Sequence, residues 1–122
     1  MAQKIMVVED EQDLRELMVK SLESAGYVTV ACDNGRQVLP LLREEKPDLL
    51  LLDIMLPGID GLQLAKQMGE DSALSRVPTL AVSALEHSKK QLETLPQMCG
   101  FISKPFSMSA LLGRIRAVLR RR

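Results

Sequence analysis

The fold is decided by Asp48-Leu-Leu-Leu-Leu-Asp53, which continues into Ile54-Met-Leu-Pro-Gly-Ile-Asp-Gly61. Four successive leucines between two aspartates are typical of a central parallel strand, because helices cover both faces of such a strand. The following loop contains the turn-forming pair Pro57-Gly58, and Gly61 lies next to a predicted helix start. We therefore expect a buried strand whose carboxyl end carries Asp53.

Outward from this strand, apolar strand-like runs alternate with helical periodicity five times across the 122 residues. The alternation predicts a three-layer α/β/α domain, in which helices pack on both faces of a parallel sheet. The length fits one domain, so we expect residues 1–122 to form a single unit. The predicted strands cover residues 4–8, 27–31, 48–53, 78–83 and 101–103.

Five helices are predicted between and after these strands. The first is stopped by Gly26. The second, over 34–45, contains Pro40, which removes a backbone hydrogen bond, so we expect a kink or a late helix start. The third runs to about Met68, and the fourth, over 86–95, has few apolar anchors. The apolar stripes of the first and last helices are Leu14, Leu17, Met18, Leu22 and Ala25, and Met108, Leu111, Leu112, Ile115 and Leu119.

The charges balance, with 16 lysines and arginines against 16 aspartates and glutamates. The net charge therefore favours neither nucleic acid nor membrane as a ligand. The basic C-terminal end is interpreted as a solvated helix end, where the helix dipole favours cations. Its basic residues are Lys104, Arg114, Arg116, Arg120, Arg121 and Arg122.

The remaining composition signals argue for an ordinary intracellular domain. Cys32 and Cys99 match no metal-binding spacing, so we interpret both as small buried hydrophobes. The N-terminus is not typical of a signal peptide, and no apolar run approaches the length of a membrane span. We expect a cytoplasmic location. The solitary His87 lies in a polar segment and is interpreted as a surface residue.

Polar residues follow four of the predicted strands. Glu9-Asp10-Glu11 follows the first, Asp53 ends the third, Ser83 ends the fourth and Lys104 follows the fifth. In an open parallel sheet, these carboxyl ends form the ligand-binding edge. Clustered carboxylates repel one another unless a cation lies among them, and their oxygens suit a hard ion such as Mg²⁺. The set predicts a site for phosphoryl transfer, with Asp53 as the nucleophile.

The same residues carry a resemblance that spans nearly the whole chain. The sequence resembles the receiver domain of bacterial two-component response regulators. The matching motifs are Val7-Val8-Glu9-Asp10-Glu11, Leu51-Leu-Asp-Ile-Met-Leu-Pro-Gly-Ile-Asp-Gly61, Val82-Ser83-Ala84 and Phe101-Ile-Ser-Lys-Pro-Phe106. The resemblance implies the flavodoxin-like receiver fold, with a five-stranded parallel sheet in the order 2-1-3-4-5. It also implies a cis Lys104-Pro105 bond, because only bonds that precede proline adopt the cis form at small cost.

The resemblance assigns roles to the acidic residues. Asp53 accepts a phosphoryl group from a sensor histidine kinase or a phosphotransfer protein. The side chains of Asp10 and Asp53 and the backbone carbonyl of Met55 bind Mg²⁺ or Mn²⁺, and Glu9 acts mainly through water. The chain then catalyses only its own phosphorylation and autodephosphorylation, and we do not expect an enzyme that acts on other substrates.

The resemblance also implies a switch. Lys104 contacts the phosphoryl oxygens, the Ser83 hydroxyl moves to meet them, and Phe101 changes rotamer with Ser83. The added charge at Asp53 drives these movements and alters the face formed by the fourth helix, fifth strand and fifth helix. A homodimer through that face is a further expectation, and we expect no direct contact with nucleic acid and none with membrane.

Two kinds of output remain open from the sequence. Residues 107–122 resemble the last receiver helix of winged-helix transcription factors, which favours a regulatory half of such a protein. The alternative is a stand-alone receiver or a phosphorelay shuttle that acts on a partner protein. Residues 96–100 depart from the Gly-Ala turn that receivers often carry in this stretch.

Two other classes share the predicted topology. A flavodoxin-like or dinucleotide-binding carrier needs a glycine-rich or hydroxyl-rich phosphate loop after the first strand, whereas Glu9-Asp10-Glu11 repels phosphate without a metal. An aspartate-dependent phosphatase would have a second carboxylate two residues after the nucleophile, where this chain has Met55. A flavin absorbance spectrum and a phosphatase assay test these two alternatives.

Overall fold

The fold is that of a computed structural model, which describes residues 2–56, 59–84 and 89–120. One parallel sheet has the strand order β2-β1-β3-β4-β5, as predicted. Its strands are β1 (Lys4–Val8), β2 (Val28–Cys32), β3 (Leu49–Asp53), β4 (Thr79–Ser83) and β5 (Met98–Ser103). The helices are α1 (Gln12–Ser24), α2 (Val38–Glu45), α3 (Gly61–Glu70), α4 (Lys89–Glu93) and α5 (Met108–Arg120).

The central strand β3 is buried along its whole length. Leu50 and Leu52 face the core under α2, α3 and α4, whereas Leu49 and Leu51 face the core under α1 and α5. A strand covered on both faces has no position for a polar side chain until it ends. The apolar run therefore stops at Asp53, on the carboxyl edge of the sheet.

Helix α1 buries a narrower stripe than the sequence predicts. Met18 and Leu22 are buried, but Leu17 is 50% exposed and Ala25 lies beyond the last turn as an exposed cap residue. Successive helical residues are rotated by about 100°, so Leu17 points away from the side that Met18 presents to the sheet. Gly26 has φ +97°, the left-handed conformation that ends a helix, and confirms its predicted role.

The second helix begins late, as Pro40 indicated. A single 3₁₀ turn, Gly35–Gln37, precedes α2, and the Asn34 side chain caps that turn by accepting a hydrogen bond from the Gln37 N–H at 3.2 Å. Pro40 is the third residue of α2. Backbone N–H groups in a first turn have no intrahelical partner, so the proline removes no helix hydrogen bond there.

The predicted strand 101–103 was too short at its start. β5 begins at Met98 and pairs with β4, with a register shift between Thr79 and Leu80. Gly100 lies within this extension, and glycine is depleted in strands, so the sequence pattern did not predict it. Cys99 lies there too and is half-buried, whereas Cys32 is buried as predicted.

The other helix ends differ by small amounts. α3 continues two residues beyond Met68, to Glu70, and the described part of the fourth helix is Lys89–Glu93, shorter than predicted at its C-terminal end. The Pro57-Gly58 turn, His87, residues 86–88 of the predicted fourth helix and the last two arginines lie outside the described residues. Within the described ranges, no helix combines the length and apolarity needed to cross a bilayer.

Gly61 is the first residue of α3 and packs directly against the backbone of Ile54, where a Cβ atom would overlap the Ile54 carbonyl group. We expect Gly61→Ala to lower the free energy of unfolding by about 2 kcal/mol, because the backbone cannot move away as a flexible side chain would. Gly113→Ala is the matched control in α5, where an added Cβ meets nothing within 4 Å. Urea denaturation should show this control gaining about 0.5–1 kcal/mol from helix propensity. Equal effects at the two positions would contradict the packing argument.

Candidate active site at the carboxyl edge of the sheet

Three acidic side chains meet at the carboxyl ends of β1 and β3. These neighbouring strands bring Glu9 and Asp10 beside Asp53, and one carboxylate oxygen of each lies within 4.8 Å of the others. Glu9 is 1% and Asp53 is 2% exposed, whereas Asp10 is exposed to solvent. The structure thus brings together the acidic residues that the sequence predicted, with two of the three charges removed from water.

Lys104 supplies a positive charge to this cluster. Its Nζ lies 3.0 Å from Asp53 Oδ2 and 2.8 Å from Glu9 Oε1. The Lys104 backbone N–H donates to the Ser83 carbonyl at 2.9 Å, which extends the β4·β5 pairing and fixes the point from which the side chain reaches inward. The Lys104-Pro105 peptide bond is cis, as the family resemblance implied.

Burial and ion pairing have opposite effects on the pKa values of Glu9 and Lys104. Burial raises the pKa of Glu9, and the Lys104 ammonium only partly offsets that effect. Burial alone would lower the pKa of Lys104, but its contacts with the Glu9 and Asp53 carboxylates outweigh burial and raise it. The ammonium therefore stays charged, and any loss of positive charge from this pocket favours protonation of Glu9.

Backbone amides orient the carboxylates. The Met55 N–H donates to Asp53 Oδ1 at 2.9 Å, so the two oxygens of Asp53 have different partners, an amide and the Lys104 ammonium. The Glu11 N–H donates to Glu9 Oε2 at 3.1 Å. These bonds hold each side chain in one rotamer, which is the preorganisation that an electrostatic site requires.

Arg15 is a site residue that the sequence reasoning missed. From the first turns of α1, its Nη1 donates to the Glu9 carbonyl at 3.0 Å, and it lies 3.4 Å from the Asp10 carbonyl. The guanidinium therefore fixes the loop that carries both acidic residues. The available signal was a single basic residue one helical turn after an acidic loop, which is too common on helix surfaces to be specific.

The donor set fits a magnesium ion. Carboxylate oxygens are the ligands that hard divalent cations prefer, and three of them converge here. Buried Glu9 Oε1 has the charge of Lys104 nearby but, within the described part of the chain, no well-aligned hydrogen bond. Glu9 thus contacts Lys104 directly. The water-mediated contact of Glu9 with the metal stays a prediction. The direct binding of the metal by the Met55 carbonyl also stays a prediction.

We expect Asp10→Ala to abolish stabilisation by magnesium without destabilising the metal-free protein. Asp10 is exposed, so its removal loses no packing and relieves repulsion from Glu9 and Asp53. Thermal unfolding with and without excess Mg²⁺ measures the effect, since a bound ion raises stability by mass action. Glu44→Ala, an exposed carboxylate near the end of α2, is the control and should respond like the wild type. An unaltered magnesium response in Asp10→Ala would contradict the ligand assignment.

The two predicted switch residues lie on adjacent strands. Ser83 is fully buried at the end of β4, and half-buried Phe101 on β5 is paired with Ala81. Lys89 Nζ lies 6.0 Å from the centre of the Phe101 ring, at the outer limit of a cation–π contact. The ring borders a cavity of about 630 Å³ between α4, β5 and α5. Movement of Ser83 and Phe101 stays a prediction.

Two further cavities flank the acidic cluster. One of about 470 Å³ is lined by Asp10, Met55 and Asp60 among others, and it opens the site beside the metal-ligand candidates. The second, of about 350 Å³, has an apolar lining that includes Leu14 and Phe106 and lies against Lys104. The acidic cluster is therefore accessible from two sides.

Comparison with known proteins identifies a family and several relatives. The family model described as the response regulator receiver domain matches residues 5–116. The phosphate regulon transcriptional regulatory protein PhoB of Pseudomonas aeruginosa is 36% identical over 118 residues, which are 96% of this chain and 52% of PhoB. The polar-differentiation response regulator DivK of Brucella anthropi is 34% identical over 120 residues, and the match covers 98% of both proteins.

The fold is also found among solved structures. The chemotaxis response regulator CheY4 of Vibrio cholerae superposes with a TM-score of 0.86 at 24% identity, and the match covers 97% of this chain and 99% of CheY4. At 24% sequence identity, this similarity shows a shared fold and nothing about function. The chain thus spans about half the length of PhoB and nearly the whole of DivK and CheY4.

Proposed function

This chain belongs to the response regulator receiver domain family, and we propose that it is phosphorylated on Asp53 by a sensor histidine kinase or a phosphotransfer protein. The observation that carries this proposal is the Lys104 ammonium 3.0 Å from Asp53 Oδ2, inside a cluster of three carboxylates at the end of the central strand. Positive charge beside a buried carboxylate is what attack on a negatively charged phosphoryl group requires.

In the proposed reaction, an Asp53 carboxylate oxygen attacks the phosphorus of a phosphohistidine. A new P–O bond forms as the P–N bond breaks, and the departing imidazole nitrogen takes up a proton from solvent. The Met55 N–H fixes the rotation of the carboxylate, and the Lys104 ammonium exchanges its contact with Asp53 for one with a phosphoryl oxygen. Mg²⁺, held by Asp10, Asp53 and the Met55 carbonyl, would supply charge that offsets the phosphoryl oxygens.

The apolar cavity beside Lys104 is the proposed docking place of the phosphodonor protein. Leu14, Pro105 and Phe106 line it, and its charged lining residues are Glu11 and Lys104. A partner held against these side chains from α1 and the loop after β5 is next to the acceptor. This placement supports an approach of the phosphodonor protein to Asp53 that leaves open the side on which Asp10 and Met55 lie.

The proposed consequence is a change on the face formed by α4, β5 and α5. Ser83 moves toward the phosphoryl oxygens, and Phe101 turns into the space that Ser83 leaves, because the new group carries strong acceptors and negative charge. The phosphoryl group shifts the population of two states through its different contacts with each. The cavity beside Phe101 supports this route, and a homodimer through this face is part of the proposal.

The output is proposed to be control of transcription, by analogy with PhoB, whose name describes a transcriptional regulatory protein. A stand-alone receiver or phosphorelay shuttle is the second candidate, supported by the full-length match to DivK. In either role the protein acts in the cytoplasm and catalyses only its own phosphorylation and autodephosphorylation.

The proposal is tested by intact-mass spectrometry after incubation with acetyl phosphate. The expected result is the added mass of one phosphoryl group when Mg²⁺ is present, and little or none when EDTA replaces it. Denatured protein is the control for chemical acylation and should not gain the phosphoryl mass. An absence of mass change in folded, magnesium-loaded protein would overturn the proposed function.

A further inference from the structure

A second polar cavity lies at the opposite edge of the sheet from Asp53. It has a volume of about 220 Å³ and is lined by Gln3, Tyr27, Arg116, Leu119 and Arg120. Gln3 precedes β1 and Tyr27 precedes β2, so both lie at the amino ends of their strands. A five-residue strand spans roughly 15 Å, which separates this cavity from the acidic cluster.

The local fold explains why these residues meet. The Val28 N–H donates to the Gln3 carbonyl at 2.9 Å, which places the residues before β1 beside those before β2. Arg116 and Arg120 are four residues apart on α5, one turn from each other on the same side of the helix. Leu119 is buried between the helix and the sheet and forms the floor.

Within the described residues, the positive charge of this cavity has no ion-pair partner. Two guanidinium groups one helical turn apart repel each other, and within residues 2–56, 59–84 and 89–120 neither forms an ion pair with a carboxylate. No acidic residue lines the cavity within those described ranges. The negative end of the α5 dipole favours cations in the last turn, but that field accounts for neither the adjacent phenol nor the amide of Gln3.

We propose that this cavity binds a phosphate-type oxyanion with at least two negative charges. Guanidinium groups offer several N–H donors in a planar fork that matches such oxygens, and the Tyr27 hydroxyl and Gln3 amide add uncharged donors. The volume accommodates a phosphate or pyrophosphate group. A free polyphosphate and two successive phosphodiester groups of a nucleic-acid backbone, each with one negative charge, share this chemistry.

The chain contains its own reporter for the test. Tyr27 is its sole tyrosine, and tryptophan is absent from the sequence, so tyrosine fluorescence reports on this cavity alone. We expect pyrophosphate to change that fluorescence in a saturable way at low ionic strength, and sodium chloride at matched ionic strength to leave it unchanged.

A second titration with a short single-stranded oligonucleotide, followed by backbone amide NMR, separates the two sources of phosphate. Amide shifts at Arg116 and Arg120 with both ligands indicate a phosphodiester site, and shifts with pyrophosphate alone indicate a free anion.

The double variant Arg116→Gln/Arg120→Gln should weaken pyrophosphate binding by about tenfold or more, since each lost contact is a charge-assisted hydrogen bond. Arg114→Gln is the matched control, because Arg114 is on the same helix but lines the cavity beside Phe101. Its affinity should equal that of the wild type. Equal affinity in the double variant and the control, or a response that follows ionic strength alone, would overturn the proposal. Phosphorylation at Asp53 is expected to persist in the double variant, so failure here is separable from failure of the proposed function.

Discussion

Lys104→Met should lower the free energy of unfolding at pH 7 by about 3 kcal/mol in the absence of magnesium. Removal of one partner from a buried ion pair typically costs about 3–5 kcal/mol, and the 22% exposure of the Lys104 side chain puts the expected loss at the lower end. The cost arises because Glu9 and Asp53, both nearly inaccessible to solvent, then repel each other without a cation. Methionine keeps most of the volume of the lysine stem, so packing changes little.

The pH dependence of this variant identifies the cause. Burial already raises the pKa of Glu9 above its unfolded value, and loss of the ammonium raises it further. The folded state then binds a proton on Glu9 more tightly than the unfolded state. The contribution of Glu9 to stability is therefore fully present below its unfolded pKa of 4.5 and is lost as pH rises through its folded pKa. Urea denaturation at pH 5 and pH 7 should therefore show a smaller loss at pH 5.

Two further comparisons complete this experiment. Lys66→Met, on the exposed side of α3, controls for the loss of a lysine and should change stability by less than about 0.5 kcal/mol. Added Mg²⁺ should restore more stability to Lys104→Met than to the wild type, because the ion substitutes for the missing charge. If Lys104→Met is as stable as Lys66→Met at pH 7, Lys104 does not neutralise the cluster.

Asp53→Asn should abolish phosphorylation by acetyl phosphate while the domain stays folded. The amide has the shape of the carboxylate, and its oxygen can still accept the hydrogen bond from the Met55 N–H. It lacks the negative charge and the nucleophilic oxygen that form an acyl phosphate. Intact-mass spectrometry should therefore show no added phosphoryl group, in contrast to the wild type with Mg²⁺.

Asp60→Asn is the matched control for this substitution. Asp60 caps α3, and its Oδ1 accepts a hydrogen bond from the Leu62 N–H at 3.0 Å. Asparagine caps helices about as well as aspartate, so this variant should fold and become phosphorylated. A phosphoryl group still acquired by Asp53→Asn would assign the acceptor to another residue.

The fold was predictable from the sequence because its strongest patterns are those of buried parallel strands. The leucines of β3 alternate between two cores, and a short run that is apolar on both faces is typical of a strand covered by helices on both sides. The start of β5 was not predictable. Met98 and Cys99 are only half-buried, and Gly100 interrupts the strand pattern, so pairing with β4 rather than local preference determines that boundary.

The site was predictable in composition but not in its internal contacts. Strand ends place Asp53, Asp10 and Lys104 at one edge, which follows from topology alone. The sequence could not show that Glu9 is buried and paired directly with Lys104, because burial depends on how the whole loop packs. It could not assign Arg15 either, since that contact is with backbone carbonyls.

The proposed phosphorylation requires Lys104 and a cation to act together on the Asp53 carboxylate. The most direct measurement is a crystal structure with Mg²⁺ and beryllofluoride, a mimic of a phosphoryl group. The expected result is beryllofluoride on Asp53, contacted by the Lys104 ammonium and the Ser83 hydroxyl, with Mg²⁺ on the Asp10 and Asp53 carboxylates and the Met55 carbonyl. A bare Asp53 still paired with Lys104, with beryllofluoride or the metal bound elsewhere, would contradict the account.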